Sequence, residues 1–133
     1  MLESLLASKH VVRTVVTQNF KNNRRTKTPV GLLSESKSIN TLYPPNLRDE
    51  KFIQTLKSHN ADLYIIYAYG KILPPELISL PKHGVINIHC SLLPEWRGAA
   101  PIQRALQNGD LKTGVTFFKI DESLDTGAII ASY

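Results

Sequence analysis

The chain has 133 residues, of which 42% are hydrophobic, and a formal net charge of +5. This length allows one domain with a real core and excludes two. No apolar run approaches the roughly 20 residues that span a bilayer, so we expect no membrane partner. The lone cysteine, Cys90, excludes an internal disulfide and fits a reducing compartment. Together with a start that lacks the features of an export signal, this favours a cytoplasmic protein.

Helical and extended patterns alternate along the chain. Helices are predicted at 1–8 (the tail of a helix), 30–37, 49–59, 75–80 and 98–106. Strands are predicted at 11–17, 39–43, 62–69, 84–88, 114–120 and from residue 128 onward. The segment 62–69 is nearly all apolar, which predicts a central strand buried on both faces. The alternation predicts an α/β fold with a mostly parallel sheet in a three-layer domain.

The whole excess of positive charge lies near the N-terminus. Residues 1–30 contain six lysines and arginines against one acid, whereas residues 31–133 contain ten of each sign. Four of these basic residues fall in the polar segment 19–29: Lys21, Arg24, Arg25 and Lys27. The pattern predicts a mobile loop suited to a phosphate backbone. A solvated loop that only aids solubility explains the same pattern equally well.

The stretch 84–104 concentrates the residues that could carry chemistry. Asn87, Ile88 and His89 alternate polar with apolar, which predicts Asn87 and His89 on one face at the exit of a strand. A loop follows, and Pro101 is tolerated in the first turn of the next helix. An amide and an imidazole at such a strand–loop–helix junction are typical of α/β enzymes. Taken singly, Asn87 is as well explained as a strand-end residue and His89 as a core histidine.

Two motifs, NIHCSLLPEWRGAAPIQRA and TGVTFFKIDESLDTGAII, resemble the formyltransferase family that uses 10-formyltetrahydrofolate. The run WRGAAPIQRA at 96–105 is most similar to the branch of that family acting on methionyl initiator tRNA. The resemblance implies a Rossmann-like N-terminal catalytic domain, 10-formyltetrahydrofolate as co-substrate without a metal, and a role in translation initiation. Against that family, we expect the first strand and the C-terminal domain to be absent. A non-catalytic remnant, and a same-fold enzyme with another acceptor, therefore remain open.

The resemblance also implies roles for individual residues. It assigns catalysis to Asn87, His89 and Asp125. It assigns tetrahydrofolate binding to Ser91, Leu92, Leu93 and Pro94, and to Tyr69, Gly70 and Leu73 in the loop that would close the pterin pocket with 121–125. It makes Lys21, Arg24, Arg25 and Lys27 candidate contacts to the acceptor end of the tRNA.

The chemistry of formyl transfer fits the three catalytic candidates. The reaction passes through a tetrahedral oxyanion, which needs a donor such as the Asn87 amide and a group that manages the amine's protons, such as His89. A right-handed crossover between His89 and Asp125 would return Asp125 to the sheet edge that carries His89. Its carboxylate would then orient the imidazole. Asp125 on its own is equally explained as a turn residue.

Other chemistries have little support in the sequence. His83, His89 and Cys90 do not form a recognisable zinc pattern. A Gly-rich dinucleotide fingerprint is also missing, so nicotinamide chemistry is not expected.

Overall fold

A computed structural model describes residues 1–21, 24–25, 27–121 and 123–133. The chain divides into two compact units, Met1–His59 and Asn60–Tyr133. The first contains α1 (Leu2–Leu6), β1 (Val15–Val16), β2 (Phe20–Lys21), β3 (Arg24–Arg25), α2 (Pro29–Ser36), β4 (Thr41–Leu42) and α3 (Glu50–Ser58). The second contains β5 (Tyr64–Tyr67), α4 (Pro75–Ile78), β6 (Val85–His89), α5 (Pro101–Asn108), β7 (Thr116–Lys119) and β8 (Ile129–Ser132). The predicted α/β fold class is confirmed.

The helices of the first unit begin at capping residues. Thr28 accepts a hydrogen bond from the Gly31 N–H and opens α2, with Pro29 in the first turn. Asp49 accepts from the Phe52 N–H at 2.8 Å and opens α3. Phe52 and Leu56, four residues apart on one face of α3, are buried. This amphipathic helix matches its prediction to within one residue at each end.

The strands of the first unit are shorter than predicted. β1 covers two residues of the predicted strand 11–17 and pairs in parallel with β4. β2 and β3 form a short antiparallel pair, with Phe20 opposite Arg25 and Lys21 opposite Arg24. The segment predicted as a loop at 19–29 therefore contains paired backbone, while residues 22, 23 and 26 lie outside the described part of the chain.

The second unit has a four-stranded sheet in the order β5-β6-β7-β8. β5 and β6 are parallel, but β7 runs antiparallel to β6 and β8 antiparallel to β7. Parallel pairing is thus confined here to the first two strands. The connection through α5 returns to the edge where β6 ends, with His89 opposite Thr116. The right-handed crossover expected between His89 and Asp125 is therefore wrong.

The prediction of a central strand buried on both faces at 62–69 is also wrong. β5 covers only Tyr64–Tyr67 and pairs with β6 as the first strand in the order of this sheet. Ile65 is 36% exposed and Tyr67 is 48% exposed, whereas Tyr64 and Ile66 are half-buried. An apolar run indicates a strand but does not reveal how many neighbours will cover it.

Helix α5 begins three residues later than predicted. Gly98 has φ +84° and Ala100 has φ +61°, so neither backbone is right-handed helical. Pro101 then occupies the first turn, as expected. The late start leaves residues 96–100 as an irregular segment.

Candidate functional site

Asn87 and His89 lie on β6, an inner strand of the sheet with β5 on one side and β7 on the other. Their spacing of two residues places both side chains on one face, about 7 Å apart along the strand. Asn87 is half-buried, whereas His89 is only 7% exposed. The predicted pairing of an amide and an imidazole on one strand face is therefore present.

His89 is held by a backbone carbonyl. Its Nε2 atom lies 2.8 Å from the carbonyl oxygen of Trp96. A carbonyl oxygen can only accept, so Nε2 carries the proton and donates. Nδ1 is then the ring nitrogen that remains for proton transfer.

Asp125 lies beside this ring. Its Oδ2 atom is 3.8 Å from Nδ1 of His89, within ion-pair range but beyond a hydrogen bond. The Asp125 side chain is 11% exposed. The two residues are close together, as predicted. The topology differs from the expected crossover, because Asp125 lies in the loop between the antiparallel strands β7 and β8.

The irregular segment 96–98 links both side chains. The Trp96 carbonyl accepts from His89, and the Gly98 N–H donates to Asp125 Oδ2 at 2.7 Å. Trp96 and Asp125 themselves have φ values of +57° and +51°, a region that aspartate tolerates but that a residue as bulky as tryptophan rarely adopts. The sequence prediction missed Trp96 and Gly98, because both act through backbone atoms that no side-chain pattern reveals.

Asn87 differs from its two neighbours in the site. Within the described part of the chain, no hydrogen bond engages its side-chain amide. The amide is thus free to donate to a bound group. It supplies the kind of donor that an oxyanion requires.

The loop after β6, residues 91–94, is fixed by one buried hydroxyl. Thr116 is fully buried, donates to the Ser91 carbonyl at 2.7 Å and accepts from the Leu93 N–H at 3.1 Å. Ser91 is also fully buried, and its hydroxyl donates to the Glu95 carbonyl. Leu92 is 37% exposed and Pro94 is exposed, with a cis peptide bond between Leu93 and Pro94. The loop is rigid on its buried side and offers apolar side chains on the other.

A cleft of the second unit lies beside the predicted pterin loop 121–125. A cleft of about 480 Å³ is lined by Pro75, Glu76, Ile78, Ser79 and Asp121. Asp121 belongs to the predicted pterin loop 121–125, but Tyr69, Gly70 and Leu73 do not line this cleft. Partial burial raises the pKa of Tyr69. A second cleft, of about 210 Å³, lies between Leu42 and Thr55 in the first unit and contains none of the predicted site residues.

The basic candidates divide into two groups. Lys21, Arg24 and Arg25 have paired backbones in β2 and β3. The Lys27 ammonium instead pairs with Glu35 on α2, which also accepts from the Tyr43 hydroxyl. Half of the Lys27 side chain is exposed. Its charge is thus partly neutralised within the first unit.

Among the described residues, no cluster of three or more histidine, cysteine, aspartate or glutamate side chains could hold a metal ion. No helix in the same ranges is long and apolar enough to cross a membrane.

Sequence comparison decides the family. Residues 3–133 match the family described as formyl transferase. The chain belongs to the formyl transferase family. A methionyl-tRNA formyltransferase from Prochlorococcus marinus strain MIT 9312 is 48% identical over 134 residues, covering 97% of this chain and 41% of that protein. A second, from strain AS9601, is 47% identical with the same coverage. The chain thus spans about two fifths of the length of these relatives.

Solved structures show the same fold with different acceptors. A phosphoribosylglycinamide formyltransferase from Streptococcus pneumoniae TIGR4 has a TM-score of 0.80 and 25% identity, covering 98% of this chain and 73% of that one. The formyltransferase PseJ from Anoxybacillus kamchatkensis, solved with a formamido nucleotide sugar and tetrahydrofolate, has a TM-score of 0.56 and 28% identity, covering 90% and 59%. Members of the formyl transferase family therefore share this fold while their names specify different acceptors.

Proposed function

We propose that this chain forms part of the catalytic domain of an enzyme that transfers the formyl group of 10-formyltetrahydrofolate to the amino group of methionyl initiator tRNA. The observation that carries the proposal is the grouping of Asn87, His89 and Asp125 at the end of β6, with His89 and Asp125 only 3.8 Å apart. The identity of 48% to a methionyl-tRNA formyltransferase supports the acceptor.

The proposed reaction uses each of the three side chains for one task. The amino nitrogen attacks the formyl carbon, and a tetrahedral intermediate forms with negative charge on the formyl oxygen. Asn87 donates its amide N–H to that oxygen. His89 receives the proton of the attacking amine on Nδ1 and returns it to the folate nitrogen as its bond to the formyl carbon breaks. Asp125 stabilises the imidazolium that exists between these two transfers.

The proposed folate site is the apolar side of the loop 91–94. Leu92 is exposed on this loop, whose backbone is held from below by Thr116. A small-molecule site of this kind combines apolar walls with a few fixed polar groups. Tetrahydrofolate bound to PseJ, a member of the same fold, supports folate as the co-substrate. Tyr69, Gly70 and Leu73 are retained as proposed contacts to the pterin.

The proposed tRNA contacts are Lys21, Arg24 and Arg25. The excess positive charge of the whole chain lies in residues 1–30, and a phosphate backbone attracts such a segment strongly at low salt. Lys27 ranks below these three because its ammonium pairs with Glu35.

The test is formyl transfer from 10-formyltetrahydrofolate to methionyl initiator tRNA by the purified chain. The expected result is transfer that His89→Ala reduces by about 10²-fold or more, as removal of an acid–base group does. His83→Ala is the matched control, because His83 is an exposed histidine of the same unit and should leave the rate unchanged.

Two results would contradict the proposal. Transfer to glycinamide ribonucleotide instead of tRNA would favour the acceptor of the Streptococcus pneumoniae relative. A cooperatively folded chain that binds tetrahydrofolate but transfers no formyl group would favour a non-catalytic remnant.

A further inference from the structure

Both carboxylate oxygens of Asp110 accept hydrogen bonds, although Asp110 is not among the predicted site residues. It follows α5, where the Gly109 N–H donates to the Leu106 carbonyl and the Asp110 N–H to the Ala105 carbonyl, the double closure of a Schellman motif. Its carboxylate accepts from the Asn108 side chain at 2.6 Å. Its second oxygen, Oδ2, accepts from the indole Nε1 of Trp96, also at 2.6 Å. The carboxylate is thus a fixed acceptor aimed at one indole.

Trp96 needs such an anchor. Its φ of +57° lies in the left-handed region, which is strained for a bulky residue and persists only where the surroundings hold it. The bond to Asp110 is charge-assisted, and therefore stronger than a bond between neutral groups. With the indole held, the Trp96 carbonyl stays in place to accept from His89 Nε2.

We propose that Asp110 is a positioning residue for His89 that acts through Trp96. The connection runs from the Asp110 carboxylate to the Trp96 indole, and from the Trp96 carbonyl to the imidazole. Each link is a hydrogen bond shorter than 3 Å. The kinetic consequence rests on the proposed formyl transfer, but the position of the imidazole is measurable without activity.

The experiment compares Asp110→Ala and Asp110→Asn with the wild-type chain. Trp96 is the sole tryptophan, so a single indole N–H resonance reports the bond to Asp110. The imidazole ¹⁵N resonances of His89, assigned with His89→Ala, report the second link. We expect Asp110→Ala to shift both signals and to lower kcat for formyl transfer about tenfold, with KM for 10-formyltetrahydrofolate nearly unchanged. Asp110→Asn keeps an acceptor oxygen and should recover most of the rate.

Two further variants separate positioning from a general loss of structure. Trp96→Phe removes the indole donor and should shift the His89 resonances as Asp110→Ala does. Because both substitutions break the same hydrogen bond, the variant that combines Trp96→Phe with Asp110→Ala should show no additional shift. Asp62→Ala removes an exposed aspartate of the same unit and should change nothing.

The His89 resonances decide whether Asp110 positions the imidazole. Unchanged His89 resonances in Asp110→Ala would overturn the proposal, as would an equal shift in Asp62→Ala. If the wild-type chain transfers no formyl group, the proposed function fails, and the His89 resonances alone then support or overturn the positioning role.

Discussion

The backbone N–H of Gly98 donates to Oδ2 of Asp125 at 2.7 Å. The same oxygen lies 3.8 Å from Nδ1 of His89. One carboxylate oxygen therefore serves both the backbone of the segment 96–98 and the imidazole. The two functions of Asp125, structural and electrostatic, can be separated by substitution.

Asp125→Asn should keep the structure and lose the rate. Its amide oxygen can still accept from Gly98, but no negative charge faces His89. Formyl transfer should fall by about 10²-fold, within the range of acid–base groups, with an unchanged melting temperature. Steady-state kinetics and a thermal melt measure both effects. A rate close to that of the wild type would show that the charge of Asp125 is not needed.

Asn87→Asp tests the oxyanion donor. Aspartate has the shape of asparagine but only accepts hydrogen bonds when ionised. The loss of one such donor costs about 10²–10³-fold in kcat, and we expect that loss here without a comparable change in KM for the folate. Asn60→Asp is the control, because Asn60 is an exposed asparagine of the same unit. An Asn87→Asp variant with normal kcat would remove Asn87 from the mechanism.

Thr116→Val should loosen the loop 91–94. The substitution leaves the half-buried Leu93 N–H without its acceptor and the buried Ser91 carbonyl without its donor. Each unsatisfied buried group costs about 1–3 kcal/mol, so urea unfolding should show a clear loss of stability and tetrahydrofolate should bind more weakly. Thr116→Ser keeps the hydroxyl and should retain most of both. Thr113→Val alters an exposed threonine nearby in sequence and serves as the control.

The Lys27–Glu35 pair should make stability depend on pH. Hydrogen bonds from Lys27 and then from Tyr43 lower the pKa of Glu35 below its usual value of 4.5. A lowered folded-state pKa gives stability that is present above pH 4.5 and is lost as the pH falls through the folded value. The stability difference between the wild type and Glu35→Gln should therefore shrink on acidification from pH 7 to pH 3. A constant difference across that range would contradict the prediction.

Gly127→Ala should disturb the loop that carries Asp125. A Cβ atom at this position would collide with the Lys119 carbonyl, and backbone cannot move aside as a flexible side chain can. Overpacking of this kind typically costs about 1–3 kcal/mol. Gly109→Ala is the contrast, because a Cβ atom there meets open space and only the φ of +74° opposes it. Thermal melts of both variants should rank Gly127→Ala as the more damaging.

The sequence predicts the local elements better than their surroundings. The helix α3 follows from Asp49 as a cap and from Phe52 and Leu56 on one face, all of which are local features. The exposure of Ile65 and Tyr67 on β5 depends on which elements cover that strand. Composition carries no such information, since an apolar strand has the same sequence whether or not neighbours surround it.

In the candidate site, too, the local features are predictable and those that depend on neighbouring elements are not. The pairing of Asn87 with His89 is a matter of strand period and was predictable. The proximity of Asp125 rested on an expected parallel crossover, yet antiparallel strands bring it about. The contact of Trp96 with His89 could not be predicted, because it uses a carbonyl that faces the imidazole only in a left-handed backbone conformation.

The left-handed backbone conformations near His89 lower the stability of the fold while they hold the candidate catalytic groups in place. Trp96, Ala100 and Asp125 are three of the six described non-glycine residues with positive φ. Trp96 and Asp125 lie beside His89, and Ala100 ends the irregular segment 96–100. The left-handed conformation costs residues such as Trp96 and Ala100 roughly 1–2 kcal/mol each, so the fold gives up stability next to its candidate catalytic groups. Substitutions that relieve this strain, such as Ala100→Gly, would remove the cost of the positive φ but leave the candidate site less ordered. Stabilising substitutions in this chain should therefore avoid residues 96–100 and be placed on the surface of α3 instead.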